Sequence, residues 1–326
     1  MATPSRSRAR SGSPARRVVG SGNWIALLLF YLGLGAASGL IWSRTANLPD
    51  LPSWHLQMLT GTAPAPNQYR PLTPWLAELL RPLMPGSDLV AAYYFIRSLV
   101  AGVTLFCFDR YLRVWFSPAA AAGGALCLAA LTPFGYFHVV QESDPINLLV
   151  FVLAYWALAR ERDLLLIPLV LVGTLNRETT AMIPALYLVI RYGRVRPGQL
   201  VGRTAALAGA WAVVYGGMLL AYGRHAYYCD VVMLGQNLSS PLPTLYALLS
   251  FGALWVLALL GARSGPAMLR RALWLVPPYV VLHYIVAIAQ EVRLYLPLAP
   301  ILVPLSWCVL LPEARLPAGA PARARP

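Results

Sequence analysis

The stretch LLLIPLVLVGTLNRETTAMIPALYLVIR, residues 164–191, decides how this chain folds. Read as one helix, it crosses a bilayer once. Read as two apolar runs, 164–175 and 180–191, it crosses twice. Each run rises only about 18 Å at 1.5 Å per residue, short of the roughly 30 Å hydrocarbon core. The polar turn between them, Asn176-Arg177-Glu178-Thr179, then has to dip below the surface into a protein-lined cavity.

Arginine decides between the two readings. The 326 residues are 58% hydrophobic and 12% charged, with mean hydropathy +0.60, too apolar for a soluble domain. Apolar runs recur near 23–43, 89–109, 117–138, 146–159, 164–175, 180–191, 204–222, 242–261, 272–289 and 294–311. With the N-terminus inside, the inner segments hold 19 arginines and the outer ones 6, Arg97 lying within a span. That is the expected positive-inside bias. A single helix over 164–191 would invert every later loop and put the Arg263–Arg271 group outside. The expectation is therefore an all-α, polytopic transmembrane helical bundle of about ten spans, N-in and C-in, in the cell membrane.

The flanks fit this frame. Residues 1–22 read as a disordered basic cytoplasmic tail and 312–326 as a second tail. No small-residue cleavage site follows the first run, so it is read as a retained span. The net charge of +14, all of it Arg with no Lys, is spread over loops, which argues against nucleic acid as a partner. The four cysteines show no metal spacing; Cys107, Cys127 and Cys308 read as packing residues and Cys229 as exposed. The outer segment 44–88 predicts two short interfacial helices. Ser53 is an N-cap for the first, and the second, Pro71 to Leu83, puts Leu72, Trp75, Leu76, Leu79, Leu80 and Leu83 on one face with Glu78 opposite.

Acids and arginines gather at the outer gaps. Asp50 follows the first span, with His55 close behind. Glu142 and Asp144 sit two residues apart after the third. Such a pair can share a cation or split into a charged acceptor and a raised-pKa acid, and Asp144 equally suits a helix N-cap before Pro145. Arg177 and Glu178 are costly at depth unless partnered, and neighbours along a helix do not face one another, so each needs its own partner. Glu291 and Arg293 open the last span, and Arg70 precedes the second interfacial helix. A planar guanidinium suits phosphate because its fork holds two oxygens. Each has a plainer reading: a turn for Asp50, snorkelling for Arg70, an interface anchor for Glu291 and Arg293. His225, Tyr227, Tyr228, Asp230, Gln236 and Asn237 form another outer loop whose rings could stack on a sugar. Asn237-Leu238-Ser239 matches a glycosylation sequon. His138 and His283 read as packing histidines.

Taken in order along the chain, these motifs resemble the GT-C superfamily of integral membrane glycosyltransferases, which use polyprenyl-phosphate-linked sugars. The resemblance rests on Asp50 before a long outer loop, the E-x-D form of Glu142-Ser143-Asp144, the charged turn at Asn176-Arg177-Glu178, and Glu291 with Arg293 before a Pro-rich final span. It covers most of residues 23–311, and larger members of the superfamily differ in having a soluble C-terminal domain. The resemblance implies inverting sugar transfer on the extracytoplasmic face. Asp50 would act as base, Arg177 and Arg293 with Arg70 would hold the lipid phosphate, and Glu142 and Asp144 would bind the acceptor or a divalent metal ion. Glu178, Glu291 and His55 would complete the substrate contacts. Two rivals stand beside it: a transporter or flippase for a lipid-linked or anionic solute, which visible repeats would favour, and a non-catalytic membrane protein of an envelope complex.

Overall fold

A computed structural model describes residues 23–45, 48–132, 142–227 and 230–316. The tail 1–22, most of 312–326, and the residues Gln141, His138, Tyr228 and Cys229 lie outside the described residues. Among the described residues the chain is all-helical, with isolated bridges but no strand. The α-helices of the described residues run in chain order: α1 Asn23–Thr45, α2 Leu51–Thr60, α3 Leu72–Leu80, α4 Leu89–Leu112, α5 Pro118–Leu131, α6 Ser143–Ala159, α7 Leu166–Asn176, α8 Met182–Arg191, α9 Pro197–Tyr222, α10 Leu234–Leu238, α11 Leu242–Leu249, α12 Leu254–Gly261, α13 Ala267–Ala272, α14 Val276–Val286 and α15 Ala299–Leu310.

Among the described residues, four helices are long and apolar enough to cross a membrane, Trp24–Thr45, Leu89–Leu112, Pro197–Tyr222 and Val292–Leu310, or five if the bent pair α11–α12 is one crossing. The physical reasons that other apolar runs form shorter helices lie in the sequence. α11 and α12 meet at 58°, across a break where Gly252 takes a left-handed φ of 49°. Pro277 and Pro278 start α14 afresh after α13 and a 3-10 turn. The 164–191 stretch does break in two, at Arg177, whose extended backbone (φ −163°, ψ 136°) ends α7.

Both short helices of the outer segment are present. α2 begins at Leu51 with Asp50, not Ser53, in the N-cap position. α3 buries Thr73, Pro74 and Ala77 against the bundle and turns Trp75, Leu79 and nearby Leu83 outward, as a helix lying at an apolar interface does. Glu78 is half-buried; it pairs with His55 and Arg81.

The core gathers around α4, α6 and α15. α1 lies so close on α4 that a Cβ on Gly35 would fall 2.5 Å from the Gly102 nitrogen, which only hydrogen at that position permits. α15 is almost wholly buried and carries Pro304 in its interior. Proline has no N–H, so the carbonyl four residues back, that of Pro300, loses its helical partner. The buried Tyr111 hydroxyl of α4 donates to that carbonyl at 2.6 Å. Replacing Tyr111 by Phe therefore strands a carbonyl in a dry core, at about 1–3 kcal/mol. Thermal unfolding in detergent should show the loss for Tyr111→Phe and partial recovery in Tyr111→Phe/Pro304→Ala, where the helix bond can form; equal stability of the wild type and the Phe variant would refute this account.

Candidate functional site

The site starts from the helix break. The Arg177 N–H still donates to the Gly173 carbonyl at 2.8 Å, after which the chain turns through the 3-10 segment Glu178–Ala181. Asn176 anchors this turn. Its amide donates to the Ser143 carbonyl at 2.7 Å, tying it to the start of α6, and its oxygen accepts from Thr73 of α3 at 3.3 Å. The Trp211 indole of α9 donates to the Glu178 carbonyl at 3.1 Å. Three helices thus fix one polar turn.

Arg177 and Glu178 have separate partners. Arg177 pairs with Asp144, in the first turn of α6. The other Asp144 oxygen accepts from Arg293 at 2.5 Å, and Arg293 also donates to Glu291 at 2.7 Å. Arg70 grips Glu178 with two nitrogens, Nε at 2.8 Å and Nη2. Asp144, Arg177 and Arg293 are nearly sealed from solvent, at 3%, 4% and 6% exposure. Burial would raise the Glu178 carboxyl, but the Arg70 charge and its hydrogen bonds outweigh it and hold the group at about 2. Burial, then the like charges of Arg70 and Arg293, pull the Arg177 guanidinium down to about 9. The Nε atoms of Arg177 and Arg293 are buried without an acceptor.

These groups wall a cavity of about 260 Å³ whose lining includes Arg70, Arg177, Glu178, Glu291, Arg293, Asp230 and His283. Its far wall is held by Asn237. The Asn237 amide donates to the Tyr284 and Ala287 carbonyls at 2.8 and 2.7 Å, and its oxygen accepts from the Ala289 N–H at 3.0 Å. That is the end of α14, where unpaired carbonyls need donors. Tyr227, Asp230 and Val231 add to the cavity's lining, and nearby the Ala65 N–H donates to the Ala226 carbonyl at 2.9 Å and the Met233 N–H to that of Ile285 at 2.7 Å. His283 donates from Nδ1 to the Tyr279 carbonyl at 2.8 Å, which leaves Nε2 as an acceptor.

The structure thus brings together Arg70, Arg177, Glu178, Glu291 and Arg293, with Asp144 directly behind them. Glu142 is buried beside a smaller adjoining cavity, lined also by Arg70, Thr73 and Tyr93. Asp50 is not brought in: it is exposed at the start of α2 and does not line either cavity. It precedes Met58, which lines the smaller one, by about 12 Å of helix rise. His55 is buried, with Nδ1 at 2.9 Å from the Tyr93 hydroxyl and Nε2 at 2.8 Å from Glu78, so both ring nitrogens are engaged away from the larger cavity.

Several local readings are corrected. Asp144 is not the cap of α6, which begins at Ser143; two guanidiniums outbid the backbone for its carboxylate. Both Asp144 oxygens are taken by guanidiniums. The Asn237 sequon is unsuited to glycosylation, since the amide is buried and fully bonded. Asp230, met in sequence only as part of a polar loop, is the residue that local reading undervalued. No protein-family description, curated protein or solved structure matches this chain.

Two outcomes are expected. Asp144→Asn should destabilise the protein by about 3–5 kcal/mol, because it strips the buried Arg177 guanidinium of its counter-charge and leaves Arg293 with Glu291 alone, whereas Glu291→Gln, at the part-exposed rim, should cost under about 1 kcal/mol. Denaturant unfolding of both variants in the same detergent checks this, and similar losses for the two would contradict it. A carboxylate held at about 2 against an ordinary 4.5 stabilises the fold above pH 4.5 and loses that contribution as pH falls toward 2. An acid titration of stability should accordingly flatten between pH 4.5 and 2 in Glu178→Gln.

Proposed function

We propose that this chain is a multi-pass membrane glycosyltransferase that moves a sugar from a polyprenyl-phosphate-linked donor to an acceptor hydroxyl on the extracytoplasmic side. The observation that carries the reading is the convergence of Arg70, Arg177 and Arg293, from three distant segments, on one cavity that also holds a carboxylate no arginine grips, Asp230. The four long helices are full crossings in this reading, and the shorter apolar elements complete about ten. The Asp144–Arg177 pair supports placing the 142–145 and 176–179 turns on the same side.

The chemistry follows from charge. As the acceptor oxygen bonds to the sugar's anomeric carbon, the bond from that carbon to the phosphate oxygen breaks, and the bonding pair leaves with the polyprenyl phosphate. The negative charge grows on phosphate oxygens, where preorganised guanidiniums in a partly dry cavity stabilise it most. The acceptor's proton passes to Asp230, which takes the role that the resemblance gives to Asp50. Arg177 and Arg293 each retain a buried Nε–H without an acceptor. Glu142, beside Arg70 in the adjoining cavity, serves the acceptor hydroxyls.

Purified protein given a radiolabelled polyprenyl-phosphate sugar and candidate acceptors should release polyprenyl phosphate. Asp230→Asn should lower turnover by about 10²–10⁴-fold, the usual contribution of a positioned base, with insertion and stability intact. Loss of turnover in Asp50→Asn, with Asp230→Asn still active, would return the base to the head of α2. No release from any lipid-linked sugar, in protein that unfolds cooperatively, would end the glycosyltransferase reading.

A further inference from the structure

A separate cavity lies at the other end of α6 and α7. The ion cluster sits where α6 begins and α7 ends; this cavity, about 480 Å³, sits where α6 ends and α7 begins. From Asp144 to Arg160 the helix rises about 24 Å, which puts the two sites at opposite faces of the bundle. Its walls are apolar, with Leu153, Trp156, Leu165 and Leu169, and its rim carries Arg160 and Arg162. The volume falls within the range of about 300–1,000 Å³ typical of small-molecule sites.

Three observations give it an occupant. Leu164 and Leu165 are exposed at 72% and 48%, so the rim meets an apolar medium. The Trp156 indole N–H, buried in the wall, has no acceptor. The surrounding charge is basic: Asp163 is held by Arg191 at 3.1 Å and by Arg203 at 3.0 Å, so four guanidiniums (Arg160, Arg162, Arg191, Arg203) face two carboxylates, Glu161 and Asp163. An apolar slot, a stranded donor and a net positive rim suit a molecule with an acyl chain, an ester carbonyl and a phosphate.

We infer that this cavity binds a diacyl anionic phospholipid from the leaflet opposite the ion cluster, its chain between α6 and α7, its ester oxygen on Trp156 and its phosphate at Arg160 and Arg162. The site is independent of any transfer activity. Its function is to fix the α6–α7 hairpin, whose far end carries Asp144 and Arg177.

The full chain reconstituted in phosphatidylcholine vesicles with a few per cent brominated phosphatidylglycerol tests this directly, because bromine quenches a tryptophan it touches. The quenching that disappears in Trp156→Phe reports the cavity. Phosphatidylglycerol should quench that component with about 25-fold preference over brominated phosphatidylcholine, and Arg160→Gln/Arg162→Gln should abolish the preference, in line with about fivefold per arginine. Arg162 is exposed, so Arg162→Gln alone, which should fold normally, should remove part of it. Equal quenching by both lipids, a preference unaffected by the arginine changes, or no Trp156 quenching at all, as a second copy covering this face would produce, each overturns the proposal.

Discussion

A single carboxylate caught between two guanidiniums organises this protein. Asp144 is buried with Arg177 and Arg293, and none of the three can be left alone in a dry interior. An unpaired buried charge costs several kcal/mol even after relaxation, so each group dictates where the others must be. Arg293 lies 149 residues from Asp144 in the chain. The requirement therefore draws the first turn of α6, the break after α7 and the approach to α15 to one point. The helix break at Arg177 follows from it: continuing α7 would carry the guanidinium to another face and lose the pair.

The second device is the use of side chains to complete backbone hydrogen bonds where helices stop. Asn176 accepts from α3 and donates to α6. Asn237 caps α14 and holds Ala289. Tyr111 satisfies the carbonyl that Pro304 abandons. Asn176 and Asn237 lie where a short helix ends within the bundle, and Tyr111 where a proline interrupts the ladder inside α15, places where water is not available to the freed polar groups. A chain rich in proline and broken helices needs such donors, and it places Asn and Tyr there.

Some of this was legible in the sequence. Apolar runs marked the helices, and the split of 164–191 could be read from Arg177 and Glu178, because adjacent residues on a helix cannot serve one another. The charged residues of the cavity stood out because charge at depth is costly. Partner choice was not legible. Asp144 reads as a cap because Pro145 follows it, and nothing in local spacing reveals a guanidinium 149 residues away. Asn237 reads as a sequon for the same reason, and Asp230 as one polar residue in a polar loop. Helix length was not legible where backbone bends at Gly252 and Pro277 divide runs whose hydropathy is continuous.

The resting charge balance bears on the proposed chemistry. Arg70, Arg177 and Arg293 are matched by Glu178, Asp144 and Glu291, so the cluster is close to neutral and phosphate cannot bind by simple attraction to an open basic patch. It has to compete. The grip on Glu178 is bidentate and the grip on Asp144 is shared by two arginines, whereas Glu291 is held by one nitrogen and is a quarter exposed. Glu291 is therefore the partner that gives way at least cost: its carboxylate can return to water while a phosphate oxygen takes its place on Arg293. On the proposed reading, a donor then exchanges one carboxylate for one phosphate without baring a buried charge. Such an exchange favours a ligand whose negative charge increases during the reaction, since the guanidiniums hold it more tightly in the transition state than in the ground state.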